Sequence, residues 1–155
     1  MDAARPEFRV PDPLYAERVR LSFERQAAMH TLGIQLAEVQ PGRVVLEMAH
    51  RPELTQQHGF LHAGVVSTAL DSACGYAAFS LMPADAAVLT IEFKVNLLAP
   101  ARGPHFRFEG VVTKPGRTIT VVDARAVEQG EGGSKLVATM TATVMTVQGR
   151  EGIHH

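Results

Sequence analysis

The sequence is poor in cysteine, has no large excess of charge of either sign and has no apolar run in its first ten residues. The one cysteine, Cys74, rules out an internal disulfide framework and a cysteine-based structural zinc cluster. Lys and Arg total 15 against 16 Asp and Glu, which gives a net charge of -1, and the basic residues form no run. This balance argues against nucleic-acid binding through bulk charge and against attraction to anionic membranes.

Neither the start of the chain nor its longest apolar stretch indicates export or membrane insertion. Residues 1–10 include four charged side chains and no apolar run of a signal peptide, so we expect a cytoplasmic location. Residues 63–82 carry one charge, Asp71, over a length that would suffice to cross a bilayer. Since an acid at the middle of a bilayer costs several kcal/mol, we interpret this stretch as a buried helix of a folded domain.

The length and composition of the chain predict one globular domain with additions at both ends. The chain has 155 residues, of which 46% are hydrophobic and 20% charged. Asp12-Pro13 is a favourable helix start, apolar residues recur every four positions from Tyr15, and Gly33 is a typical helix end. We predict an N-terminal extension with a helix over residues 1–33, a domain over 34–148 and a disordered tail over 149–155. The tail histidines, native or the remainder of a purification tag, carry no part of the interpretation.

The domain itself reads as an α+β fold in which a curved antiparallel sheet covers one long helix. Two strands flank the turn Pro41-Gly42, and the apolar helix follows over about residues 62–81. Because this helix is apolar nearly all round, it has to be covered on several sides. Alternating apolar and polar residues predict four later strands, the first of them half-buried, at residues 91–97, 106–109, 117–128 and 135–147.

One face of the long helix carries small and polar residues instead of apolar ones. Positions spaced three and four apart on this face are Gly64, Ser67, Thr68, Asp71 and Gly75. A buried acid without partners is costly, so Asp71 is either a structural residue bonded to nearby backbone or a functional carboxylate at a cleft or subunit seam. We favour the functional interpretation.

Other kinds of active site have weaker support. The sequence contains no G-x-S-x-G motif and no phosphate-binding glycine motif. His58 and His62 are four residues apart, as two metal ligands on one helical turn would be, but no third ligand is evident nearby. Cys74 lies among alanines on the apolar side and is expected to pack there. We therefore expect no metal site.

A polar segment leads into the start of the long helix. It runs from Gln56 to Gly64 and ends where free backbone N–H groups favour developing negative charge. His62 and Asp71 are nine residues apart, too far along one helix to touch. If the two ends of this helix cooperate, they do so across a dimer.

Several motifs together resemble the hotdog-fold acyl-CoA thioesterases, and among them the PaaI-like branch of the phenylacetate pathway. They are His62-Ala63-Gly64, then Asp71 on an apolar helix, followed by residues 96–100 (NLLAP) and 115–118 (PGRT). The resemblance implies a central helix wrapped by a sheet and active sites between paired subunits. It also implies hydrolysis of an acyl- or aryl-CoA thioester to the free acid and CoA, with no cofactor beyond the CoA of the substrate.

The resemblance assigns roles residue by residue. Asp71 matches the helix-borne acid that acts as general base or as nucleophile. The usual His-Gly-Gly falls on His62, Ala63 and Gly64, and the middle N–H, here of Ala63, polarises the thioester carbonyl. Gln56 matches an amide that orients water or the carboxylate. Thr90 matches a hydroxyl near the start of the next strand, although simple alternation puts it on the polar face.

The turn between two later strands is the implied contact with the CoA phosphates. Lys114, Gly116 and Arg117 lie there, and solvated turn charges are the alternative interpretation. The implied assembly is a homodimer or homotetramer. A non-catalytic acyl-CoA-binding module on the same fold is the second functional hypothesis, because fold does not fix function. A hydratase or dehydratase would be expected to use a different His/Asp arrangement.

Overall fold

The computed structural model describes residues 7–153 and residue 155. Residues 1–6 of the predicted extension and His154 of the predicted tail lie outside the described residues. Three α-helices and six strands follow in the order α1 Tyr15–Glu24, α2 Ala27–Leu32, β1 Gln35–Gln40, β2 Arg43–Ala49, α3 Ala63–Phe79, β3 Ala87–Leu97, β4 His105–Lys114, β5 Ile119–Gly130 and β6 Gly133–Val147, with a 3-10 turn at Pro52–Leu54 between β2 and α3.

All six strands form one antiparallel sheet that packs against the long helix. The strand order is β1-β2-β4-β5-β6-β3. Helix α3 contacts β2, β3, β4, β5 and β6, and its buried side chains belong to the same core as Phe106, Phe108 and Met140 of the sheet. The predicted α+β architecture, with a sheet around a central helix and extra helical structure at the N-terminus, is therefore confirmed.

The sheet comes closest to α3 at Gly110 in the middle of β4. A Cβ atom at this position would lie 2.5 Å from the carbonyl oxygen of Ala73. Only glycine permits this approach without a shift of the backbone. Together with the alanines of α3, Gly110 allows the helix to pack close to the sheet. This packing fixes the position of Asp71, which lies half a turn before Ala73, relative to the sheet.

The N-terminal extension differs from its prediction, because its one expected helix is two. The chain is helical to Glu24, breaks at Arg25 and Gln26, and resumes as α2. Gln26 has extended backbone angles, with φ -81° and ψ 97°. Apolar periodicity continues across the break, so the spacing alone cannot reveal it. Gly33 ends α2 in the left-handed conformation, as its position predicts.

Arg18 joins this extension to the far end of α3. Its guanidinium donates to the carbonyl oxygens of Phe79, Met82 and Pro83 and lies 4.4 Å from the centre of the Phe79 ring. Asp12 completes the contact with an ion pair of 3.3 Å. Since the last carbonyls of a helix lack partners within it, this cation stabilises both the end of α3 and the position of α1.

Strand β3 is found as predicted, but it is an edge strand and is not half-buried. Leu89, Ile91, Phe93 and Leu97 are between 41% and 54% exposed. Alternation predicts that one face of the strand is apolar. It does not indicate whether other residues of the same chain bury that face. Across the described part of the chain, no helix is both long and apolar enough to span a membrane.

Candidate active site

The carboxylate of Asp71 is held by the hydroxyl of Thr90. Thr90 Oγ1 donates a hydrogen bond of 2.7 Å to Asp71 Oδ1. Asp71 lies in the third turn of α3 and is half-buried, whereas Thr90 lies near the start of β3. The helix and the edge strand thus place the two side chains that the resemblance singled out within direct contact.

A β-bulge explains why Thr90 reaches the helix. Thr90 pairs with Val144, a fully buried residue of β6, while Glu92 pairs with the next residue of that strand, Thr143. One residue, Ile91, is therefore unpaired, and the side chains on either side of it change faces relative to simple alternation. The interpretation that put Thr90 on the polar face with Glu92 is wrong for this reason.

The environment of Asp71 favours its protonated form more than water does. Burial raises the pKa of Asp71 above its ordinary value, and the hydrogen bond from Thr90 opposes part of that rise. A carboxylate with a raised pKa is a stronger base and nucleophile once ionised. The carboxylate also lines a cleft of about 270 Å³, so small molecules can reach it.

The start of α3 leaves one backbone donor free. His62 is the N-cap, and its Nδ1 accepts a 2.9 Å hydrogen bond from the Gly64 N–H. Val65 and Val66 donate to the His62 carbonyl. Within residues 7–153 and 155, no acceptor is found for the N–H of Ala63. The residue predicted to polarise a carbonyl is thus the one whose N–H is available, and His62 shapes the turn around it.

Gln56 lies beside this helix start with its amide group oriented. The side-chain oxygen Oε1 accepts a hydrogen bond from the backbone N–H of His58. The backbone N–H of Gln56 donates to the Phe60 carbonyl at 2.9 Å. Because the carbonyl end of the side chain is engaged, the NH₂ end is the part left to meet a ligand. Gln56 and Ala63 line a second cleft of about 350 Å³, which is mostly apolar.

The predicted site residues therefore fall into two groups within one chain. Gln56 and Ala63 line the cleft of about 350 Å³, whereas Asp71 and Thr90 line the cleft of about 270 Å³. Asp71 follows Ala63 by eight positions in the helix, which is about 12 Å along the axis. A larger cavity of about 640 Å³ between β1, β2, β4 and β5 is lined by none of the predicted site residues.

The rest of the α3 face agrees with its sequence pattern. Ser67 and Thr68 are half-buried, and their hydroxyls donate to the carbonyls of Ala63 and Gly64 one turn earlier. Cys74 is fully buried, and desolvation raises the pKa of its thiol, so it remains protonated and inert. The interpretation of Cys74 as a packing residue is confirmed.

The β4–β5 turn lies at the same end of the sheet as Thr90. Ile119 pairs with Met145, which in turn pairs with Leu89. Gly116 is required at the turn because a Cβ there would lie 2.0 Å from the carbonyl oxygen of Ile119. Lys114 and Arg117 are exposed beside it. Their role in phosphate binding stays a prediction.

Two side chains of the Asp71 cleft were missed by the sequence interpretation. Ser72 directly follows the acid, and Gln26 belongs to the break between α1 and α2. The helical pattern assigns Ser72 no role, and no local signal connects residue 26 to residue 72. His155 also lines this cleft, with its ring 4.5 Å from that of Phe79 and its Nδ1 hydrogen-bonded to Ser22.

A comparison with protein families decides what this arrangement belongs to. The thioesterase superfamily matches residues 58–135, half of the chain, which includes the α3 start, Asp71, Thr90 and the β4–β5 turn. The chain belongs to the thioesterase superfamily. A Saccharolobus solfataricus relative named as an esterase is 32% identical over 109 residues, 70% of this chain and 77% of the relative. The prediction of a thioester hydrolase is thereby confirmed.

Solved structures place the thioesterase among hotdog folds. A thioesterase family protein from Silicibacter pomeroyi shares 59% identity and a TM-score of 0.86, over 87% of this chain and 99% of that one. The E. coli PaaI protein of the phenylacetic acid degradation operon matches with a TM-score of 0.79 at 21% identity, over 87% of this chain and 94% of that one. At that identity the likeness to PaaI concerns the fold, and the predicted resemblance to a PaaI-like hotdog thioesterase is confirmed in that sense.

Proposed function

We propose that this thioesterase hydrolyses an acyl-CoA or aryl-CoA thioester to the free acid and CoA, at a site shared between two subunits. The observation that carries the proposal is the half-buried Asp71 carboxylate, held by Thr90 in a cleft that small molecules can enter. A protein that only bound acyl-CoA would need no carboxylate with a raised pKa beside the thioester.

The separation of the two clefts supports a shared site. The Ala63 N–H and Asp71 are about 12 Å apart along one helix, too far to act on one carbonyl within the same chain. In a symmetric dimer whose twofold axis is perpendicular to α3, the two copies of the helix run in opposite directions, so each end of α3 meets the opposite end of its copy. Two composite sites then form, each with Asp71 from one subunit and Ala63 from the other.

The exposed edge of the sheet supports the dimer itself. β3 has unpaired backbone groups along its free edge, and several of its large apolar side chains are about half exposed. Edge strands of this kind invite pairing with another strand. Pairing of β3 with its symmetry copy would cover Phe93 and Leu97 and bring the two copies of α3 side by side. A homotetramer would be a pair of such dimers.

The chemistry follows from the positions of these groups. As a general base, ionised Asp71 accepts a proton from water, and the resulting hydroxide attacks the thioester carbonyl. The Ala63 N–H of the other subunit donates to the carbonyl oxygen as it becomes negative, and the helix dipole adds to this effect. The tetrahedral intermediate then expels the CoA thiolate, which takes up a proton.

As a nucleophile, Asp71 would instead attack the carbonyl itself. The tetrahedral intermediate expels the CoA thiolate and becomes an acyl-aspartyl anhydride, and water then cleaves the anhydride to free the acid and regenerate the carboxylate. The same N–H stabilises the oxyanion in both routes. Gln56, with its NH₂ end free, is suited to orient the water or the carboxylate, and Lys114 and Arg117 to meet the CoA phosphates beside the Gly116 turn.

A thiol-release assay with a panel of acyl-CoA and aryl-CoA thioesters tests the proposal. We expect the wild type to release CoA from at least one panel member and Asp71→Ala to be slower by several orders of magnitude while it still unfolds in one cooperative transition. Near-normal release by folded Asp71→Ala would reject the role of Asp71. Tight binding of the thioesters without release would instead identify the chain as a non-catalytic acyl-CoA-binding module.

A further inference from the structure

The Asp71 cleft contains a pair of polar side chains that the proposed reaction does not use. Ser72 Oγ donates a hydrogen bond of 3.2 Å to Gln26 Oε1. This contact engages the oxygen of the Gln26 amide and leaves its NH₂ group without an acceptor in the described part of the chain. Gln26, half-buried, therefore offers the cleft up to two hydrogen-bond donors, and Ser72 offers its oxygen lone pairs.

The position of Gln26 is fixed by the break in the N-terminal helices. Its backbone is extended between two helical segments, so its side chain turns toward α3. Just before the break, Ser22 bonds to the Tyr76 hydroxyl at 3.1 Å, and the Phe23 ring packs 5.7 Å from the Tyr76 ring. These buried contacts attach the end of α1 to the turn of α3 that follows Asp71. The break is thus part of the cleft wall.

The rest of the cleft is small and mixes apolar residues with the polar groups of Thr90, Tyr76 and His155. Gly75, Val88 and Leu89 line it next to Asp71, and Tyr76 stands at the end where Ser22 bonds to it. With about 270 Å³, the cleft is near the lower end of the range for small-molecule sites. A thioester carbonyl beside Asp71 carries the acyl arm on one side and, through sulfur, the pantetheine arm of CoA on the other. One of these two arms enters the cleft.

The acyl arm fits this cleft better than the pantetheine arm does. Pantetheine has to continue to the protein surface because it carries the nucleotide, whereas an acyl group ends inside the protein. Residues of one chain line the cleft, with α3 on one side, β3 on the other and the α1–α2 break and His155 across it. Building on the acyl-CoA thioesterase function proposed above, we infer that Gln26 is a specificity-determining residue that selects acyl groups with an oxygen near their far end.

The physical basis of the selection is the cost of an unpaired donor. A hydrocarbon end would desolvate the Gln26 NH₂ and give it no acceptor, whereas an oxygen replaces the lost water. Leaving a buried donor unpaired changes relative kcat/KM by roughly fivefold to a hundred-and-fiftyfold. A hydroxyl fits especially well, because it accepts from Gln26 and donates to the free lone pair of Ser72.

The test compares matched pairs of substrates that differ in one distal atom. The pairs are 4-hydroxybenzoyl-CoA with 4-methylbenzoyl-CoA, and 6-hydroxyhexanoyl-CoA with heptanoyl-CoA. We expect the wild type to favour the oxygenated member of at least one pair by about tenfold or more in kcat/KM, and Gln26→Leu to lose this preference through better turnover of the hydrocarbon and poorer turnover of the oxygenated thioester. Gln35→Leu, on exposed β1, is the matched control and should keep the wild-type ratio.

A second substrate series separates the acyl arm from the pantetheine arm. The same acyl groups as N-acetylcysteamine thioesters lack most of the pantetheine and the nucleotide, so a contact between Gln26 and the acyl group must persist in them. Unchanged ratios in Gln26→Leu for both pairs, no preference in the wild type, or an effect that disappears in the shortened thioesters would each overturn the inference. All three results leave the thioesterase function intact, whereas the absence of any Asp71-dependent hydrolysis would reject that function itself.

Discussion

Thr90 Oγ1 lies 2.7 Å from Asp71 Oδ1 and donates its hydrogen bond to the carboxylate. This contact joins the central helix to the edge strand at the point where the β3 bulge turns the side chain of Thr90, an exposed residue, toward α3. Because it stabilises the ionised carboxylate, it offsets part of the rise that burial causes in the pKa of Asp71.

The first prediction concerns this hydrogen bond. Thr90→Val removes the donor and keeps the shape, so the pKa of Asp71 should rise further above its ordinary value. Activity needs the ionised carboxylate and falls as the pH drops through that pKa. The acid limb of the kcat/KM profile should therefore move to higher pH in Thr90→Val, while Thr90→Ser, which keeps a hydroxyl, should resemble the wild type. An acid limb that does not move would show that Thr90 has no part in the titration of Asp71.

The second prediction concerns the stability cost of the ionised Asp71. Its folded-state pKa is raised, so its favourable contribution to folding is present below the unfolded value near 3.8 and is lost as the pH rises through the folded value. Asp71→Asn keeps an acceptor for Thr90 and carries no charge. We expect it to unfold at a higher temperature than the wild type at neutral pH, and the difference to shrink as the pH falls.

Thermal unfolding of both proteins at equal concentration, across that pH range, measures this difference. A variant that is less stable than the wild type at neutral pH would contradict it. Such a result would mean that the ionised carboxylate has stabilising partners beyond Thr90.

The third prediction concerns the free backbone donor at the start of α3. Ala63→Pro removes the N–H at the first helical position, where proline is well tolerated, and the extended ψ of 137° at His62 suits a following proline. We expect kcat to fall by about a hundredfold to a thousandfold, the usual cost of one oxyanion donor, with little change in melting temperature. Ala63→Gly keeps the N–H and is the matched control. Equal activity of Ala63→Pro and Ala63→Gly would exclude this N–H from the reaction.

The order of elements could be predicted from the sequence because each depends on a local pattern. The turn Pro41-Gly42 indicates β1 and β2, alternation indicates the later strands, and a run of apolar residues with one acid indicates α3. The small and polar face around Asp71 could also be identified, since a helix of fixed period puts Gly64, Thr68 and Gly75 on the same side as the acid. These features require no knowledge of which distant segments meet.

Two parts of the candidate site could not be predicted because they depend on tertiary contacts. The bulge at Ile91 changes the face of the strand from which the Thr90 side chain projects. The alternation of apolar and polar residues does not reveal where one residue is left unpaired. The break at Gln26 interrupts a continuous apolar stripe, and its partner Ser72 lies 46 residues further along the chain. In both places the irregular backbone brings a polar side chain to the Asp71 cleft.

The central claim is that each active site combines Asp71 of one subunit with the Ala63 N–H of another, and subunit mixing tests it most directly. Asp71→Asn and Ala63→Pro should each be almost inactive alone. In a hybrid dimer, however, one of the two sites would receive an intact Asp71 and an intact Ala63. After dissociation and reassociation of an equal mixture, we expect about a quarter of the wild-type activity, since half of the dimers are hybrids and each has one functional site. If subunit exchange is verified with differently tagged chains and the mixture stays as inactive as its components, the shared site is wrong.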